Sequence, residues 1–131
     1  MERLVAAPST LGREQEAQDV VEQELKRLGL DVERLPIPET IEDDPLAGVA
    51  QISYDGRADV VGRLGGNGGP SLLVNGHIDV VPAPKYGARR DGDWLYGRGA
   101  GDMKAGLVAM TGAVRALRAA GVELDGSVQL Q

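Results

Sequence analysis

The chain predicts an α/β fold in which a mixed β-sheet packs against flanking helices, and three features of its 131 residues carry that expectation. Stretches 13–28 and 103–120 place apolar residues at helical spacing, and each is closed by a glycine. Short apolar runs at 30–35, 57–64, 71–75 and 94–96, with GSVQLQ at the end, have the length and branching of strands. Glycine and proline clusters separate these runs.

In the first helix Ala17, Val20, Val21, Leu25 and Leu28 form the apolar stripe, with Glu14, Glu16, Asp19, Glu22, Glu24 and Lys26 between them. Acids in its first turn complement the helix dipole, and Gly29 ends it. Its acidic face reads as solvated surface. The strand at 30–35 ends at Pro36 and Pro38. From 39 to 56 periodicity is lost; Asp43, Asp44, Pro45 and Gly48 punctuate a connection, and 49–54 is expected as a short strand. The runs at 57–64 and 71–75 flank a glycine-rich loop, 65–70. Such a loop can cradle phosphate where a helix follows, but here a strand follows, so an antiparallel hairpin is expected. In the second helix Met103, Leu107, Met110, Val114 and Leu117 form the expected buried stripe. The glycines before it do not fit GxGxxG, and no Gly-Lys pair suits a phosphate loop, so nucleotide binding is demoted to a third reading, although a strand, glycines and a helix do occur in the right order.

The stretch SLLVNGHID, 71–79, organises the chain. Leu72, Leu73 and Val74 suit a strand near the middle of a sheet with both faces covered. It empties into Asn75, Gly76, His77 and Asp79, at the strand end where open α/β sheets bind ligands. His77 is the only histidine. Along an extended chain His77 and Asp79 point to the same side, so the carboxylate can take one ring N–H and leave the other nitrogen for a metal. A hydrogen-bonded structural pair is the competing reading. Asp102 also has two: an N-cap for the second helix, or a carboxylate brought by its neighbouring glycines to a metal on His77.

Composition narrows the function classes. The length suits one ordinary domain. Acids outnumber bases 20 to 14, which leaves no basic excess to displace counterions from a nucleic acid. No run reaches the apolar length of a membrane span, and MERLVAAPST lacks the basic cluster and apolar core of a signal peptide, so the expected location is cytoplasmic. With no cysteine there are neither disulfides nor thiolate metal sites.

GHIDVVP at 76–82, followed by DGDWLYGRGAGDMKAG at 91–106, resembles the dizinc metallohydrolase family of acetylornithine deacetylase, succinyl-diaminopimelate desuccinylase, aminoacylase and glutamate carboxypeptidase. The likeness runs along essentially the whole chain. It implies the N-terminal half of a zinc-exopeptidase-like catalytic domain. It also implies two zinc ions, which cobalt or manganese can replace, and hydrolysis of an N-acyl bond on a small amino-acid-like substrate. By the same resemblance His77 is a zinc ligand, Asp79 is the catalytic carboxylate that holds and polarises His77, and Asp102 bridges the two metals. A cis peptide just after the bridging aspartate, here Asp102-Met103, is a further implied feature. Paired metals suit amide hydrolysis because they lower the pKa of a shared water and stabilise the oxyanion.

Two departures from the family pattern shape the remaining expectations. In the family a strand like GSVQLQ leads to a Glu-Glu pair that supplies the general base and a zinc ligand, whereas this sequence ends at Gln131. A fragment, inactive as an isolated chain, is therefore expected, with its rival a non-catalytic module that self-associates or pairs with a complementary chain through an unfinished sheet edge at Val128 and Leu130. Between Pro82 and Asp91 the relatives' longer loop is replaced by APKYGARR, where Lys85, Arg89 and Arg90 are candidates to attract a substrate carboxylate.

Overall fold

A computed structural model describes residues 1–48, 51–66, 68–83 and 87–131. Helix α1 (Glu2–Ala6) and helix α2 (Gln15–Arg27) precede strand β1 (Asp31–Pro36), a 3-10 turn at Glu39–Asp43, and strands β2 (Ala58–Gly65) and β3 (Ser71–Val74). A short pair, β4 (Arg89–Asp91) and β5 (Trp94–Tyr96), leads to helix α3 (Lys104–Ala119) and strand β6 (Ser127–Leu130). The expected α/β class with a mixed sheet and flanking helices is what forms. Among the described residues no helix is long and apolar enough to cross a membrane.

The main sheet has the order β1-β2-β6-β3. β6 runs antiparallel to β2, with Gly62 opposite Leu130, and parallel to β3, with Leu72 opposite Val128. This corrects three expectations. β2 and β3 are not a hairpin, because β6 lies between them. The segment at Val128 and Leu130 is an inner strand, so it offers no open edge for self-association or a complementary chain. β3 is itself an edge strand, with Leu72 58% and Leu73 56% exposed, so its faces are not both covered. Residues 51–54 form no strand, while Val49 and Ala50 lie outside the described residues.

The backbone explains why the glycine-rich loop does not turn straight back. It passes across the start of β6, where Ser127 N–H donates to Pro70 O at 3.1 Å and Gly66 N–H to Gly126 O at 3.2 Å. A Cβ at Gly126 would lie 1.8 Å from Pro70 O, so the close approach of two backbones needs a residue without a side chain there. Asn67 of this loop lies outside the described residues.

Alternation along the strands puts Val32, Val60, Leu64, Val128, Leu130 and Val74 on one face. There they pack with Leu25 and Leu28 around α2 and with Val114 and Met110 of α3. The opposite face carries Arg63, which bonds Glu33 and reaches Gln129 at 3.1 Å. A second core cluster joins Leu4 of α1, Ala7, Ala17 of α2 and Leu107 of α3, and Ile78 packs against it. On the surface of α2, Arg34 from β1 meets Glu22 at 2.7 Å and Asp19 at 2.5 Å. Hydrogen bonds from Lys26 and Arg34 hold the Glu22 carboxyl below its usual range.

The buried positions of α3 are Lys104, Leu107, Thr111 and Val114; Met103, Met110 and Leu117 of the expected stripe are only half-buried, and the polar residues next to the two methionines are buried instead. Thr111 Oγ donates back to Val108 O at 3.0 Å. Leu25 is 2% exposed at the junction of α2 with the sheet, and Leu25→Ala is expected to lower unfolding free energy by about 2–5 kcal/mol, read from urea denaturation.

Candidate functional site

β3 ends at Val74, and its exit is fixed by the residue after β6. Gln131 N–H donates to Val74 O at 3.0 Å, and Gly76 N–H donates to Gln131 O at 2.9 Å. Beyond this clamp the chain stays extended and alternates. Ile78 and Val80 turn inward, Ile78 onto the second core cluster and Val80 to 6% exposure. His77 and Asp79 therefore turn outward on the same side, as their spacing predicts.

The ring of His77 meets a carboxylate at each nitrogen. Nδ1 lies 3.2 Å from Asp79 Oδ1 and 3.1 Å from the Asp79 backbone oxygen. A backbone carbonyl can only accept, so Nδ1 carries the proton of the neutral ring and Nε2 presents a lone pair. Nε2 lies 3.3 Å from Asp102 Oδ1, which also has only lone pairs to offer when ionised. Two acceptors facing each other at this distance favour a shared cation between them.

The capping role considered for Asp102 is not used. Met103 is the N-cap of α3, and no side chain caps it. The Asp102 side chain is 93% exposed, and its one polar contact among the described residues is with His77. The peptide bond between Asp102 and Met103 is cis, as the resemblance implies. The Met103 side chain turns back beneath the loop, where its sulfur accepts from His77 N–H at 3.3 Å. Gly76 makes room for it, since a Cβ there would lie 2.9 Å from Met103 Cε and 2.8 Å from Leu107 Cδ2.

The donor chemistry fits a metal such as zinc. Zinc–ligand distances near 2.0–2.2 Å and a tetrahedral angle separate two donors by about 3.4 Å, close to the 3.3 Å between Nε2 and Oδ1. Among the described residues no group of three or more His, Asp or Glu side chains is placed to hold a metal ion.

A cleft of about 880 Å³ opens over these groups, lined by His77, Asp79, Asp102, Arg89, Tyr96 and Arg98 among others. Of the three basic loop residues singled out in the sequence, Arg89 lines the cleft, stacked 4.4 Å over Tyr96 and 3.2 Å from Asp91. Arg90 turns away, donating to Gly92 O at 2.9 Å and approaching Glu2 at 3.8 Å. Lys85 lies outside the described residues. Arg98 was not anticipated; its place between Gly97 and Gly99, in the glycine-rich entry to α3, was the available signal. Lys104 was missed as well. Its ammonium is buried and donates to Leu4 O at 2.9 Å and Ala7 O at 2.8 Å, and burial pushes its pKa below the usual lysine value.

Residues 73–131 match the model described as peptidase family M20/M25/M40. The resemblance to that metallohydrolase family holds. Succinyl-diaminopimelate desuccinylase of Gluconacetobacter diazotrophicus is 38% identical, over 97% of this chain and 31% of its own length. Among solved structures, human carnosine dipeptidase 1 shares 25% identity and a TM-score of 0.69, over 98% of this chain and 29% of its own. An M20 family metallo-carboxypeptidase from Sulfolobus solfataricus shares the fold with a TM-score of 0.74 at 22% identity, over 97% of this chain and 28% of its own. The chain spans about a third of the length of the curated relative it matches.

The packing of Met103 under the loop gives a test of this architecture. Gly76→Ala is expected to destabilise the protein by about 1–3 kcal/mol through overpacking, measured by denaturant unfolding.

Proposed function

We propose that these residues are the N-terminal portion of the catalytic domain of a metal-dependent amidohydrolase that cleaves an N-acyl bond on a small amino-acid-like substrate. The observation that carries the reading is the setting of His77, whose Nδ1–H is committed to Asp79 while Nε2 faces Asp102 at 3.3 Å. Similarity to a desuccinylase and to a dipeptidase supports it, because both names denote cleavage of an amide.

In this reading His77 and Asp102 would hold zinc, with Asp102 as the carboxylate that would serve both ions of a pair. Asp79 holds the ring in one tautomer and raises the basicity of Nε2. When bound, the metal supplies Lewis acidity, which lowers the pKa of water and stabilises negative charge developing on a carbonyl oxygen. Two donors are fewer than the three protein ligands usual for catalytic zinc, so further donors join them in the working centre. Arg89 and Arg98 give the cleft rim positive charge, suited to a carboxylate-bearing substrate.

Calorimetric zinc titration at neutral pH tests the assignment. Saturable binding is expected in the wild type. His77→Ala should lose more than the roughly 10–100-fold expected of an outer partner, and Asp79→Ala should fall within that range. Equal affinity in the wild type and His77→Ala would sink the metal-ligand role. An N-succinyl amino acid offered to the full-length protein should be hydrolysed until a chelator is added.

A further inference from the structure

The two donors stand on separate elements, His77 in the loop after β3 and Asp102 in the turn before α3, and no strand ladder joins them. One direct tie joins them, the 3.3 Å contact of His77 N–H with Met103 Sδ, and a second, longer route supplements it. Both elements are tied to the same short piece of chain, residues 4–9, the end of α1 and the first residues after it.

On the His77 side the tie is Ser9, which is fully buried at 0% exposure. Its hydroxyl donates to Ile78 O at 2.7 Å, and its own backbone oxygen accepts from Val80 N–H at 2.9 Å. The two bonds bracket Asp79 and fix the backbone on the far side of His77 from the Gln131 clamp. On the Asp102 side the tie is Lys104, 1% exposed. It lies two residues beyond Asp102, and its ammonium donates to both Leu4 O and Ala7 O. Its backbone N–H closes the turn by donating to Gly99 O at 3.0 Å. Its side-chain stem runs beneath Gly99, where a Cβ would lie 3.1 Å from Lys104 Cδ.

We infer that segment 4–9 is a strap that sets the distance between His77 Nε2 and Asp102 Oδ1, with Ser9 and Lys104 as its two positioning residues. The inference rests on the proposed metal centre and adds a role for residues that touch neither metal nor substrate. Charge and hydrogen bonding make the strap specific. A buried ammonium left without its carbonyls, or a buried carbonyl left without its donor, is strongly disfavoured, so each tie resists sliding. Ala7 also packs in the second core cluster together with Leu107 and Ile78, which keeps the strap against both elements.

Zinc affinity measured by competition with a chelator, together with the absorption spectrum of the cobalt-substituted full chain, tests the strap. Ser9→Ala and Lys104→Met are each expected to weaken zinc binding about 10–100-fold and to shift the cobalt bands, since the donors lose their fixed separation. Val114→Ala, in the other core cluster, is the control for stability alone. It should lower the melting temperature yet keep wild-type affinity and spectrum. If Lys104→Met does not fold, Ser9→Ala decides the matter alone. Wild-type affinity and spectrum in Ser9→Ala, or an equal loss in Val114→Ala, would overturn the strap while leaving the metal centre standing. A full-length wild-type protein that binds no zinc would instead overturn the metal centre and the strap together.

Discussion

Strand β6 is the constraint on which the rest depends. Four residues, Ser127–Leu130, are hydrogen-bonded on both edges, antiparallel to β2 and parallel to β3. Without them the β1–β2 pair and β3 would share no ladder. Each backbone bond contributes only about 0.5–1.5 kcal/mol net, so the strength lies in the number made together and in the valines and leucines brought onto one face. The same segment reaches the site through Gln131, which grips Val74 and Gly76 on either side of Asn75. The place of His77 is thus set by residues far along the chain.

The site divides its labour by alternation. Inward residues Ile78 and Val80 supply the anchorage, and outward residues His77 and Asp79 present polar side chains to the cleft. An extended backbone does this without a scaffold of its own, provided that its carbonyls and amides find partners. Ser9 and Gln131 provide them. The result is a polar group of high exposure on a backbone that is firmly held.

Legibility in the sequence followed the range of the physics. Helical periodicity located α2 and α3 to within two residues, because an amphipathic stripe is a local property. Most strands were found as segments, β4 being missed and the run at 51–54 forming none, but their neighbours were not, since alternation says nothing about which strand lies alongside. The run Leu72, Leu73, Val74 looked central and proved to be an edge. The five-residue α1 was too short to show a period. Lys104 escaped notice because nothing in its local sequence shows that two backbone oxygens from the start of the chain satisfy its ammonium. The His77–Asp79 pair was readable from spacing; the approach of Asp102 was readable only as one of two alternatives, from its neighbouring glycines, and the resemblance favoured it over a cap.

The pair β4–β5 forms a sheet separate from the main one. Arg89 and Tyr96 of that pair face the cleft, while none of its backbone bonds is shared with the ladder that carries His77. The rim pair therefore shares no ladder with the main sheet, although β5 leads through residues 97–101 to Asp102. Lengthening the β4–β5 connection would cost only about 0.6 kcal/mol per doubling of loop length and would leave the bonds of the main sheet alone. Such a chain can change what enters the cleft by editing the rim, while the ladder that fixes the His77 loop stays as it is.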